Sequence, residues 1–252
     1  MPGFISHTVM ARDVYNEMDN KNVNLNYIVT YSLGGDLCKY AKCRYDSHHV
    51  NQDKFIYDMA DYIKNNNLVK DKEIMGVLYG HICHYIMDSV IHPLVRKMDK
   101  TCVKNKKNHT LIEEYYDSYL VLERLGINKK DYIKKGLLKI KNNKKIDKML
   151  DMVYMDVYHT KNVSKYYKFN LFLYRMLRNI YGIFSTKMIQ GISGLNKFLV
   201  VNKDIDLFND NRQIIYKNSI REEQNDSFIS LYNECIMLAI QYINNVNKYL
   251  DI

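Results

Sequence analysis

Between Gly80 and Leu94 the chain reads GHICHYIMDSVIHPL, which sets His81, His84, Asp88 and His92 three or four residues apart. On a helix turning about 100° per residue these four side chains share an arc of about 80°. Neutral imidazole is the commonest metal-binding side chain, and a carboxylate offsets the charge of the cation, so one such face can hold zinc. His109 and Glu113 repeat the i, i+4 spacing further on. Faces of this kind on two helices can each supply half of a metal cage inside a bundle. His7 falls in the first turn of the first predicted helix, Asp36 follows the pair Gly34-Gly35, and His48-His49 lies in the next polar segment. The alternative for His84, Asp88 and His92 is a metal-free polar network, at a cost of several kcal/mol for each unpaired buried group. Three ligands already crowd the shared face, so His81 is expected behind them or in the core. His159, far along the chain, is expected to be structural, and Cys83 points away from the imidazoles.

The elements that must position these residues are helices. Only 10 Gly and 2 Pro punctuate 252 residues, too few turn residues for an ordinary all-β fold. Ser6 is placed to cap a first helix carrying Val9, Met10, Val14 and Met18, and Asn24 to cap a second over Leu25 to Tyr31. A third is expected from Gln52 to Lys64. The central helix starts near Lys72 and holds its period to Pro93, where the missing donor predicts a kink or an end. Helices over His109 to Leu125, Tyr166 to Val200 and Ser227 to Leu250 complete an all-α, single-domain multi-helix bundle spanning residues 1–252. Asn128 to Met149 holds nine Lys against two Asp. It is expected to be a solvated helix and loop, with contact to an anionic membrane surface as the alternative.

Composition narrows the function further. Hydrophobic residues at 47% and charged residues at 26% exclude a disordered chain. The formal charge of +9 suits polyanions, phospholipid head groups and nucleic acid alike. Five Cys without a CxxC pair make neither a disulfide framework nor a thiolate zinc site. The start, MPGFISHTVM, shows no signal peptide and no run of 18 apolar residues occurs, so a cytoplasmic protein without a transmembrane segment is expected.

The order His7, Asp36, His48, His84 with Asp88, His92, and His109 with Glu113 resembles the ligand order of bacterial zinc-dependent phospholipase C. The segment His84-Tyr85-Ile86-Met87-Asp88, with Pro93 soon after, carries the resemblance most specifically. His92 lies closer to Asp88 than the family pattern has it. The resemblance covers the first half of the chain and leaves no room for a separate membrane-binding C-terminal domain. It implies a helical zinc hydrolase holding two or three zinc ions and acting on phospholipid, and it makes secretion the alternative localisation. Under it Asp88 bridges two ions, with His84 and His48 on the first, His92, His109 and Glu113 on the second, and His7 on a third. In secreted members the mature N-terminal amine is a further ligand, a place that falls here to Pro2 once Met1 is removed. His48 is favoured over its neighbour His49. Asp36 holds an ion and orients the attacking water, or acts as general base. Single-strand zinc nucleases share the fold and ligand types, and nucleic acid is therefore the second candidate substrate. A non-catalytic helical metal-binding protein is the reading from a different class.

Overall fold

The computed structural model describes residues 3–38, 40–44, 46–101, 109–134, 140–183, 214–217, 223–226 and 228–252. The helices are α1 (Phe4–Glu17), α2 (Leu25–Tyr31), α3 (Asp46–His49), α4 (Gln52–Asn65), α5 (Lys72–Thr101), α6 (His109–Leu125), α7 (Lys129–Lys134), α8 (Lys144–Tyr158), α9 (Val163–Ile183) and α10 (Phe228–Tyr249). Short 3₁₀ turns cover Gly34–Cys38 and Lys42–Arg44. Among the described residues the fold is all-α apart from one antiparallel ribbon, β1 (Ile214–Lys217) with β2 (Glu223–Asp226), which pairs Ile214 with Asp226. No strand was expected there, although the run Ile-Ile-Tyr favours one.

Helix α5 is the axis of the bundle. It packs against α1, α2, α4, α6, α8 and α10. It is long and apolar enough to cross a membrane, but nearly all of that stretch is buried inside the protein. It runs through Pro93 to Thr101, so the helix does not end at the proline. Its approach to α2 depends on two glycines one turn apart. A Cβ on Gly76 would stand 2.8 Å from Tyr27 Cβ, and one on Gly80 would stand 2.7 Å from the Ile28 carbonyl oxygen. Continuing that face by four residues reaches His84, and by eight reaches Asp88. The small residues that seat α2 therefore also aim these two side chains at the turn that follows α2.

Asn24 caps α2 as expected, accepting from the Asn26 amide at 3.0 Å. Ser6 does not cap α1. The helix starts at Phe4 after Gly3, whose φ and ψ are extended, and Ser6 lies inside it. The cap comes from another element. Asp117 of α6, fully buried, accepts from Ile5 N at 3.3 Å, Ser6 N at 2.7 Å and Ser6 Oγ at 2.5 Å. A carboxylate beside free amide donors at a helix start is favourable on both hydrogen-bonding and dipole grounds.

Among its described residues the Lys-rich stretch forms helix and loop as expected, with Lys144, Lys145 and Lys148 exposed. From Lys144 onward it forms α8, which buries Ile146, Met149, Leu150 and Val153 and packs against α4. Lys129 is itself buried, with its ammonium 3.9 Å from Asp117, and burial lowers its pKa to about 7. The end of the expected Tyr166 to Val200 helix lies outside the described residues beyond Ile183.

Candidate metal centre

Two overlapping groups of potential ligands meet where α1, the 3₁₀ turn, α3 and α5 converge. Ligand atoms of His7, Asp36 and His84 lie within 4.8 Å of one another, as do those of His48, His84 and Asp88. Closer contacts tie the two groups together. His7 Nε2 is 3.4 Å from Asp88 Oδ1, His48 Nε2 is 3.3 Å from Asp36 Oδ1, and His84 Nε2 is 3.5 Å from Asp88 Oδ2. The rings of His7 and His84 are 4.6 Å apart between centroids.

Backbone packing explains this crowding. Gly34 has φ of +38°, and a Cβ there would stand 2.4 Å from the His84 ring. A Cβ on Gly35 would stand 2.8 Å from His48 Cε1. Both imidazoles thus press against a backbone that only glycine leaves bare. The turn closes through a 2.8 Å bond from Asp36 N to the Leu33 carbonyl, which presents the Asp36 carboxylate between them.

The two buried imidazoles of α5 differ in a telling way. His81 uses both ring nitrogens: Nδ1 donates to the Val77 carbonyl at 2.9 Å, and Nε2 accepts from the Tyr167 hydroxyl at 2.9 Å. It belongs to the core, and burial lowers its pKa to about 4. His84 Nδ1 donates to the Ser32 carbonyl at 3.1 Å, which sets the tautomer and leaves the Nε2 lone pair for another partner. Burial brings the His84 pKa down to about 3, so it is neutral and ready to ligate over the physiological range.

Hydrogen bonding leaves this centre incomplete. Of the seven buried side-chain polar atoms without a hydrogen bond among the described residues, four are His7 Nδ1, His7 Nε2, His84 Nε2 and Asp88 Oδ1. Orphaned buried groups are rare in native proteins, and four at one point call for a partner. Burial opposes the charge on Asp88, but His84 and His7 outweigh it and hold the carboxyl well below the usual range. Burial likewise opposes the charge on Asp36, and His48 and His84 overcome it. A divalent cation at this point would compensate both buried carboxylates. Imidazole nitrogens and carboxylate oxygens are the donor set that zinc takes, so the residues present fit that ion.

Five of the eight expected ligands therefore converge: His7, Asp36, His48, His84 and Asp88. His7, expected at a third ion, stands beside His84 and Asp88. His92 and Glu113 are partly buried and stand outside the two groups. The side chains of His49 and His109, and the Pro2 amine, lie outside the described residues. Two residues escaped the sequence analysis. Asp117 fixes the start of α1 and so the position of His7. It continues the His109, Glu113 face by one more turn, a signal that was present in the spacing. Tyr174 of α9 is the other. Burial and the neighbouring Asp36 and Asp117 charges push its hydroxyl pKa up, so it keeps its proton beside the centre.

A family model described as zinc dependent phospholipase C matches residues 6–169. The chain belongs to the zinc-dependent phospholipase C family. The match takes in all five converging residues and runs past α8 into α9, further than the motifs alone reach. Neither the curated proteins nor the solved structures give a match. Membership in the zinc-dependent phospholipase C family indicates a zinc-dependent hydrolase of phospholipase C type, and the His and Asp groups gathered here could hold its metal.

Proposed function

We propose that this chain, acting as one catalytic unit, hydrolyses the phosphodiester of a glycerophospholipid to diacylglycerol and a phosphorylated head group. The observation that carries this is the convergence of His7, Asp36, His48, His84 and Asp88, four of whose buried polar atoms lack a hydrogen bond. These five residues hold the metal, and the family resemblance adds His92, His109 and Glu113. Zinc at such a site brings the pKa of a coordinated water towards roughly 7 and stabilises charge gathering on phosphate oxygens.

The protein's own groups do the rest. Asp36, ionised and with Oδ1 beside His48 Nε2, accepts the proton of the attacking water at its carboxylate. His48 fixes the orientation of that oxygen. The Ser32 carbonyl keeps the proton of His84 on Nδ1, so Nε2 faces the centre throughout.

Single-stranded nucleic acid offers the same bond and is the competing substrate. Zinc-loaded protein given short-chain phosphatidylcholine and a single-stranded oligodeoxynucleotide is expected to cleave the lipid at least about tenfold faster in kcat/KM. The reverse ratio would assign it as a nuclease. Cleavage of neither, with a full metal shell, would favour a non-catalytic metal protein.

A further inference from the structure

Helix α9 has two working faces. Inward, Asn170 Nδ2 donates to the Leu37 carbonyl at 2.9 Å, which holds the turn that carries Asp36. Outward, Lys165, Phe169, Phe172 and Met176 follow one another at steps of four, three and four residues and form a single stripe. Phe169 is 50% exposed, Phe172 56% and Met176 44%. Tyr40, 55% exposed and four residues beyond Asp36, sets its ring edge-on to Phe169 at 5.8 Å. Tyr40 and Phe169 also line a broad shallow depression with Lys161, Asn162, Lys165 and Tyr166. No Asp or Glu lines it among the described residues.

Isolated exposed apolar residues are ordinary, but three large ones on one helical stripe, extended by a fourth from the active-site turn, make a patch. We infer that this stripe is the surface by which the protein docks on an anionic phospholipid bilayer. The side chains suit that occupant. Aromatic rings and a flexible Met can enter the head-group boundary, while Lys161 and Lys165 lay their stems on the apolar surface and place their ammonium groups at phosphate level. The charge is one-signed and complementary to acidic lipid, in keeping with the formal +9 of the chain. The location suits it too, because α9, which carries the stripe, is bonded through Asn170 to the turn that carries Asp36. Membrane contact is thereby assigned to α9 and not to Asn128 to Met149, whose C-terminal part packs into the bundle as α8.

The inference deepens the phospholipid reading and rests on it for the kind of interface, but binding is measured without catalysis. Full-length protein is sedimented with vesicles of phosphatidylglycerol and phosphatidylcholine, and separately with phosphatidylcholine alone. Wild type is expected to bind the acidic vesicles more tightly, and to lose that preference as salt rises. The double variant Phe169→Ser with Phe172→Ser, and the pair Lys161→Glu with Lys165→Glu, are each expected to bind acidic vesicles at least about tenfold less tightly. Circular dichroism and turnover of a monomeric short-chain phospholipid are expected to stay at wild-type levels. Vesicle binding equal to wild type in both variants would overturn the inference. So would a wild-type dimer that the Phe variant dissociates while vesicle binding persists. Vesicle binding lost in the variants, with no hydrolysis of monomeric lipid by wild type, would uphold the docking surface and sink the phospholipase reading alone.

Discussion

Changing Asp88 to Asn is expected to remove both bound metal and hydrolysis while leaving the fold in place. Asp88 is the carboxylate that touches two imidazoles at once, with Oδ1 3.4 Å from His7 and Oδ2 3.5 Å from His84. The amide matches its shape but carries no charge. With one of the two buried carboxylates neutral, the centre offers a divalent cation far less compensation. Loss of an outer hydrogen-bonding partner typically costs about 10–100-fold in metal affinity or activity, so loss of a carboxylate ligand is expected to exceed about a hundredfold. The amide fills the same space, so the metal-free variant is expected to keep the fold while losing the carboxylate's contacts with the two imidazoles. Zinc titration and thermal melts of the metal-free proteins check both halves. A variant with wild-type zinc affinity and turnover would show that Asp88 is not a ligand.

The second large effect is expected from Gly34→Ala, a change far milder in chemistry. Two penalties act together there. The backbone has φ of +38°, where an L side chain is strained, and the new Cβ would stand 2.4 Å from both Cγ and Cδ2 of His84. Left-handed strain costs about 1–2 kcal/mol and overpacking about 1–3 kcal/mol, giving an expected loss near about 3–4 kcal/mol in folding stability. His84 cannot simply swing aside, since its Nδ1 bond to Ser32 and its position on α5 both anchor it. Zinc affinity should therefore fall with stability. Gly126→Ala is the control: it shares a positive φ of +63°, but an added Cβ there meets nothing within 4 Å. That variant should show the strain alone, with zinc affinity unchanged. If Gly34→Ala were no more destabilising than the control, the close approach of the turn to His84 would be wrong.

What could be seen in the sequence follows from the range of each interaction. His84 and Asp88 share a face through local helical periodicity, which is present in the spacing before anything folds. The limits of α2, α4, α6 and α10 follow from the same local signals. Asp36 and His48 belong to irregular segments, so only the order of residues pointed to them; the reason they meet, two glycines pressed under imidazoles, is tertiary. Asp117 as the cap of α1 was hidden for the same reason, because it acts across 111 residues on Ser6. The Lys-rich stretch is solvated at Lys144, Lys145 and Lys148 as its charge implies, while the apolar period of Ile146, Met149, Leu150 and Val153 packs the other face of α8 into the bundle. His7 enters the ligand set only through the family's residue order, and the packing of α1 on α5 that brings it to Asp88 is tertiary.

The most direct test is the metal content of the purified, untagged protein by elemental mass spectrometry, with phosphodiesterase activity followed through chelation and zinc restoration. Two or three zinc ions per chain, with activity that disappears on chelation and returns with zinc, is the expected result. A protein that takes up no zinc on reconstitution, or that hydrolyses phosphodiesters equally well after chelation, would contradict it. The converging imidazoles and carboxylates would then be a buried polar network, and the hydrolase reading would fall with the metal.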